Sequence, residues 1–215
     1  MSEIEYKVIL IGDSGAGKTC FFRKLTTGIF YEKSISTIGI DRKYLNINFD
    51  VNKSGIIENK NFNINIYDTA GQERFRSLTK NYFSRSNGIL IIYDITNRQS
   101  FENVKNWVNS IKEFLGDYEE YVVILIGNKS DLIEDNENNS RKVKEEEAKE
   151  ICINYDLIWG GEISIKTIDM NELKELFLEY VKKIYEKVRD KPIVKLRAIK
   201  MENDRPRHAH RKACC

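Results

Sequence analysis

Residues 12–19 read GDSGAGKT, a G-x-x-x-x-G-K-[ST] run set between an apolar stretch, YKVILIG (6–12), and an amphipathic one, KTCFFRKLTTG (18–28). No other stretch constrains the fold as tightly. Its glycines let main-chain N–H groups converge on phosphate oxygens where a Cβ would intrude, and the helix that follows adds the positive end of its dipole. Such a loop needs a buried strand to deliver it and a helix to leave it. Gly12, Gly15 and Gly17 are therefore expected to shape a phosphate cradle, with Lys18 reaching the β- and γ-phosphates and the Thr19 hydroxyl ligating Mg²⁺. The loop identifies neither the base nor the reaction.

The remaining pattern extends this unit into an open sheet. GILIIYD (88–94) and YVVILIGN (121–128) read as strands buried on both faces. YLNINF (44–49) and FNINIYD (62–68) alternate like a half-exposed antiparallel pair, and the polar run DVNKSGIIENKN (50–61) reads as the hairpin tip between them. In SFENVKNWVNSIKEFLG (100–116) one helix face carries Phe101, Val104, Val108, Ile111 and Leu115. NELKELFLEYVKKIYEKV (171–188) repeats that pattern through Leu173, Leu176, Phe177, Tyr180 and Ile184, with Asp169 and Glu172 placed for a capping box. Strands alternate with helices, which predicts an α/β fold with a mostly parallel sheet and helices on both faces.

Two further loops fall at the carboxyl edge of that sheet, where ligands bind in open α/β folds. NKSD (128–131) follows a buried strand, and Asp131 is suited to accept from the N1–H and exocyclic amine of guanine, a donor pair that adenine lacks. DTAGQE (68–73) follows another. Asp68 is placed to hold Mg²⁺ through water, Gly71 to bring its N–H to a γ-phosphate, and Gln72 to orient an attacking water. Both histidines, His208 and His210, lie near the C-terminal end, so residues 1–188 have no histidine for nucleophilic catalysis or metal ligation. Phosphoryl transfer is no worse for that, because it rests on positioning and charge stabilisation.

Taken together, GDSGAGKT, STIGID (36–41), DTAGQERF (68–75), GNKSD (127–131) and EISIK (162–166) resemble the Ras superfamily of small GTPases. Within it the chain is similar to the Rab family, through NINIYDTAGQERF, RFRSLTKNYF and LIIYDIT, over residues 5–188. The resemblance implies the P-loop small GTPase fold, six strands with one antiparallel edge strand. It implies GTP and GDP contacts along the whole loop, Asp13, Ser14, Gly15, Ala16, Gly17, Lys18, Thr19 and Cys20. Thr37 would be a second Mg²⁺-ligating hydroxyl, Phe30 would pack on the guanine, and Asn128, Lys129, Asp131, Ser164, Ile165 and Lys166 would surround it. Segments 30–42 and 69–83 would be the two switches. Effectors, an exchange factor, a GTPase-activating protein and a prenyl-binding GDP-dissociation inhibitor are the implied partners, and a monomer with no nucleic-acid partner is expected.

The departures from the family pattern are specific. Ile165 replaces a small residue in the guanine loop, behind an unusual WGG (159–161), and Arg42 stands where Rabs carry Phe, on a surface that effectors read. The long 50–61 run, with GNKSD and VKEEEA, is also similar to the Rab branch that tethers secretory granules and melanosomes.

Charge divides the chain. Residues 189–215 hold nine Lys/Arg and three Asp/Glu, a net of +6, so the overall +2 leaves −4 for residues 1–188. The expected organisation is a nucleotide-binding domain over 1–188 and a basic tail over 189–215 ending in Cys214 and Cys215. In a Rab-like chain that pair implies two geranylgeranyl groups, and stable anchoring takes two lipid signals. Cys20 and Cys152 are too few for a disulfide framework and are expected as small buried hydrophobes in a reducing setting. The start MSEIEYK carries no secretory signal, so the cytosol and the cytoplasmic face of membranes are the expected location. Two other readings remain open at this level. A metabolic P-loop kinase would have no use for a guanine-selecting loop, and a binding-only pseudo-GTPase would be motivated by Ile165.

Overall fold

The structure, a computed structural model, describes residues 4–31, 40–53, 55–69, 83–116, 121–133 and 141–188. Six strands form one sheet: β1 (Ile4–Ile11), β2 (Ile40–Lys53), β3 (Ile56–Thr69), β4 (Gly88–Asp94), β5 (Val122–Asn128) and β6 (Ile158–Ile163), in the spatial order β2-β3-β1-β4-β5-β6. Only β2 and β3 run antiparallel, and every other neighbouring pair is parallel. Among the described residues the longer helices are α1 (Lys18–Thr27), α2 (Arg98–Leu115), α3 (Glu145–Tyr155) and α4 (Met170–Val188).

The apolar run of β1 has a simple cause, because successive side chains enter different cores. Tyr6, Val8 and Leu10 join Phe21, Phe22 and Leu25 of α1 and Leu173, Phe177 and Ile184 of α4. Ile9 and Ile11 join Phe101, Val104 and Val108 of α2 and Ala148 and Cys152 of α3. The sheet is thus covered on both faces around its middle strands. The expected helix stripes are buried apart from Leu115 and Leu176, which lie at the core margins. Asp169 caps α4, its Oδ1 accepting from Asn171 N at 2.7 Å.

The hairpin differs from the sequence expectation. The polar run 50–61 is ladder, not tip: Asp50 pairs with Asn59, Val51 with Glu58, Asn52 with Ile57 and Lys53 with Ile56. Each strand is 14 residues long, and the ladder continues to the pair Lys53 and Ile56. Asparagine and aspartate are turn formers by propensity, but here they stand on the open face of a paired ladder. Asn59 Nδ2 donates across it to Asp50 Oδ1 at 2.7 Å, while Phe49 and Val51 on the other face are buried. Cys152 is buried, as expected, but Cys20 is only half-buried. Among the described residues no helix is long and apolar enough to cross a membrane.

Candidate functional site

β1 ends at Ile11, and the chain then turns through Gly12 and residues 13–17 into α1. Gly12 (φ 134°) passes so close to β4 that a Cβ would overlap the Ile92 carbonyl oxygen, and a Cβ on Gly17 (φ 107°) would overlap the Asn128 amide. Both conformations are left-handed and closed to ordinary side chains. α1 starts at Gly17 without a side-chain cap and without an acidic residue in its first turn. Its first N–H groups therefore face the loop unneutralised, the arrangement that attracts an anion.

Lys18 is 4% exposed and folds over this loop, its Nζ donating to the Gly12 and Asp13 carbonyls at 2.8 Å each. Burial lowers its pKa to about 8, and the Asp68 and Asp13 carboxylates offset part of that shift. Asp68 leaves β3 beside it, fully buried, with no donor among the described residues in close hydrogen-bond geometry to either carboxylate oxygen. Desolvation raises its pKa to about 6, while the Thr19 hydroxyl, Lys18 and Arg23 pull it back and Asp41 pushes it up further. An orphaned buried carboxylate next to a threonine hydroxyl is costly unless something positive completes it. The pair suits a divalent cation, and the residues fit the Mg²⁺ expected there.

Asn128, at the end of β5, joins the loops. Its Nδ2 donates to the Ala16 carbonyl at 2.7 Å, and its Oδ1 accepts from Ile165 N at 3.1 Å. One buried amide therefore ties the phosphate loop to the 164–166 loop. Asp131 Oδ1 accepts from Ser164 Oγ at 2.6 Å, which holds the carboxylate against the same loop. Lys129 adopts the left-handed conformation (φ 74°) and pairs through Nζ with Asp94 Oδ2 at 2.6 Å. Ile165 finds its room inside the molecule: its side chain is 1% exposed and enters the core between α1 and α4. Its main-chain N–H stays on the Asn128 bond, so the larger side chain leaves that loop contact in place. Phe30 is half-buried against the same core.

Three positioning residues escaped the sequence reading. Lys24 of α1, 7% exposed, donates from Nζ to the Ile165 and Lys166 carbonyls at 2.9 and 3.2 Å, pinning the loop from beneath. Asn103 and Trp107 of α2 hold Asp13, with Asn103 Nδ2 on Oδ2 at 2.6 Å and Trp107 Nε1 on Oδ1 at 2.9 Å. The Asp13 side chain thus anchors the loop to α2, and what it offers the loop itself is its carbonyl. Trp107→Phe removes one charge-assisted hydrogen bond and leaves Asn103. The expected cost is about 1.5 kcal/mol of thermal stability and a roughly threefold to fivefold faster release of a fluorescent GDP analogue. Unchanged release would show that this anchor does not govern the loop. Thr37, Gly71 and Gln72, most of the segments 30–42 and 69–83, and the tail with Cys214 and Cys215 lie outside the described residues.

Comparison with known proteins agrees with this geometry. The Ras family model matches residues 7–186. Among curated proteins, human Ras-related protein Rab-8B is 41% identical over 150 residues, covering 70% of this chain. Ras-related protein Rab-8A of Rattus norvegicus is 40% identical over 151 residues, again 70% of this chain. The match spans 65% of the length of each of these relatives. With the family match running from within β1 to within α4, the chain belongs to the Ras family, and its similarity within that family lies with the Rab small GTPases.

Proposed function

We propose that this protein is a guanine-nucleotide switch that binds GTP and GDP with Mg²⁺, hydrolyses GTP slowly and works at membranes in vesicle traffic. The observation that supports the reading is the Asn128 amide, which joins the glycine-rich 12–17 loop to the 164–166 loop, the two that would take phosphate and guanine. In this reading the Gly12–Thr19 main chain and Lys18 take the phosphates, and Asp131 accepts from the guanine N1–H and amine. Asp68 and Thr19, with Thr37, would hold Mg²⁺, which supplies charge neutralisation between the β- and γ-phosphates when bound. Gln72 would orient the attacking water, and Gly71 would report the γ-phosphate to the second switch. Ordering of the two switches would create the surface that effectors recognise, and hydrolysis would release it. Prenylation at Cys214 and Cys215, aided by the basic tail, would supply the membrane address.

The test is nucleotide content and turnover of the purified full chain. Guanine nucleotide retained through purification, with phosphate released from GTP and not from ATP, is the expected result. Turnover of ATP, or transfer of phosphate to a nucleoside, would make it a kinase-type P-loop protein. GTP binding with no turnover, even with an activating protein, would leave a binding-only protein. Mass measurement of the C-terminal peptide from the native cell checks the lipid.

A further inference from the structure

The sheet face opposite α1 and α4 is covered by α2 and α3 only around β4, β5 and β6, and no described helix lies over β2 and β3 there. On that open face the ladder sets Arg42 of β2 against Tyr67 of β3, and β1 adds Lys7, which pairs with Asn65. The Arg42 guanidinium lies 5.4 Å from the ring centre of Tyr44, itself 56% exposed. The Lys7 ammonium lies 5.0 Å from the ring centre of Tyr67, and Arg85 lies close enough to lower the Lys7 pKa further than burial alone does. Two cations thus share one stripe, Lys7 held there by donating to the Ser84 carbonyl at 3.0 Å, and neither makes an ion pair among the described residues. Asp41 is turned to the other face, where its Oδ1 accepts from Arg42 N at 2.8 Å.

The hydroxyl of Tyr67 makes the stripe directional. It accepts from Asn65 Nδ2 at 3.0 Å and stabilises the Arg42 charge beside it. Its own proton has no acceptor among the described residues. Asn65, 7% exposed, keeps a buried Oδ1 with no partner among the described residues. Further along, the face continues in Asn46, Asn48 and Asn61 rather than in aliphatic side chains. A purely apolar helix would bury these groups without matching them, at a cost for each. A carboxylate fits instead, since it accepts from a guanidinium and an O–H together.

We propose that this stripe docks an acidic segment of a partner protein, one carboxylate of which is held jointly by the Arg42 guanidinium and the Tyr67 hydroxyl. The occupant is a discrete acidic peptide rather than a lipid or nucleic-acid polyanion, because residues 1–188 carry a net −4 that repels an extended anionic surface. The proposal rests on the switch reading, since β2 and β3 join the two segments expected to respond to nucleotide.

The experiment uses the full chain loaded with a non-hydrolysable GTP analogue and a short fluorescent peptide of glutamates and serines. Its counterparts carry glutamine or lysine in place of glutamate. Arg42→Glu is expected to weaken binding of the glutamate peptide by roughly tenfold and Tyr67→Phe by roughly threefold, while the lysine peptide gains on Arg42→Glu. The basic tail attracts the peptide equally in every variant, so the difference isolates the stripe. Equal affinity for the glutamate and glutamine peptides, or none lost in Arg42→Glu, overturns the proposal. Binding to phosphatidylserine vesicles that falls in parallel with Arg42→Glu overturns it in favour of a lipid surface. Nucleotide content is read on the same samples: a chain that takes up no guanine nucleotide sinks the switch reading, whereas a loaded chain indifferent to Arg42→Glu sinks only the docking site.

Discussion

Asn128→Ala is expected to release guanine nucleotide roughly 100-fold faster and to destabilise the protein by about 3 kcal/mol. The side chain is buried, 4% exposed, and serves two main-chain groups, the Ala16 carbonyl and the Ile165 N–H. Truncation leaves both unsatisfied, at about 1–3 kcal/mol each before water intervenes. It also opens space where Gly17 passes the amide, so the phosphate loop loses its lateral support. The effect on nucleotide follows because the two halves of the site, phosphate loop and guanine loop, would no longer be fixed to each other. Preorganisation of that kind is worth the ordering cost that binding would otherwise have to meet. Asn128→Asp separates the two roles: it keeps an acceptor for Ile165 N but sets a carboxylate against the Ala16 carbonyl. It should be at least as damaging as alanine if the phosphate-loop contact dominates. Stopped-flow release of a fluorescent GDP analogue, with thermal unfolding in parallel, decides. Release within about twofold of wild type in Asn128→Ala would show that the loops are held by other means.

Much of this site is written in the sequence because it depends on local rules. Gly12 and Gly17 are required by backbone conformation and close approach, and Asn128 and Asp131 follow a buried strand at the edge where ligands bind. A short motif is enough to state such requirements. Asp13 is different: its role is set by Asn103 and Trp107, 90 and 94 positions away, on a helix whose pattern advertises only its buried face. Lys24 was hidden for the same reason, as a lysine in an amphipathic helix reads as solvated until the Ile165 carbonyl, 141 positions on, is seen above it. The hairpin departs from its sequence pattern because asparagine carries opposite meanings in turns and on an exposed ladder, and only the pairing of Asp50 with Asn59 tells them apart. Ile165 was the reverse case. A bulky side chain in a ligand loop suggests disruption, but this one points into the core and only main-chain groups of Ile165 serve the loop.

Asp68→Asn is expected to act in opposite directions on stability and on nucleotide. The carboxylate is fully buried with no donor among the described residues in close hydrogen-bond geometry, and its pKa of about 6 records mainly the cost of desolvating its charge. At neutral pH the metal-free protein therefore carries an ionised group that its surroundings compensate only in part, through Thr19, Lys18 and Arg23. An amide of the same shape removes the charge, so in chelator the variant should be more stable by about 1 kcal/mol, the gain limited by the amide's own unmet donors. The function lost is the reason to retain such a group. Where wild type should hold GDP at least about tenfold longer with Mg²⁺ than in chelator, the variant should show a difference of less than about twofold. Lys18 should feel the change as well, because the Asp68 carboxylate is the main charge opposing the burial that lowers its pKa. Release rates in Mg²⁺ and in chelator, set beside thermal unfolding in chelator, test both halves. If Mg²⁺ slows release in Asp68→Asn as much as in wild type, Asp68 is not part of the metal site. If the variant is instead the less stable protein in chelator, the carboxylate is compensated within the fold and its burial is not a cost held for a cation.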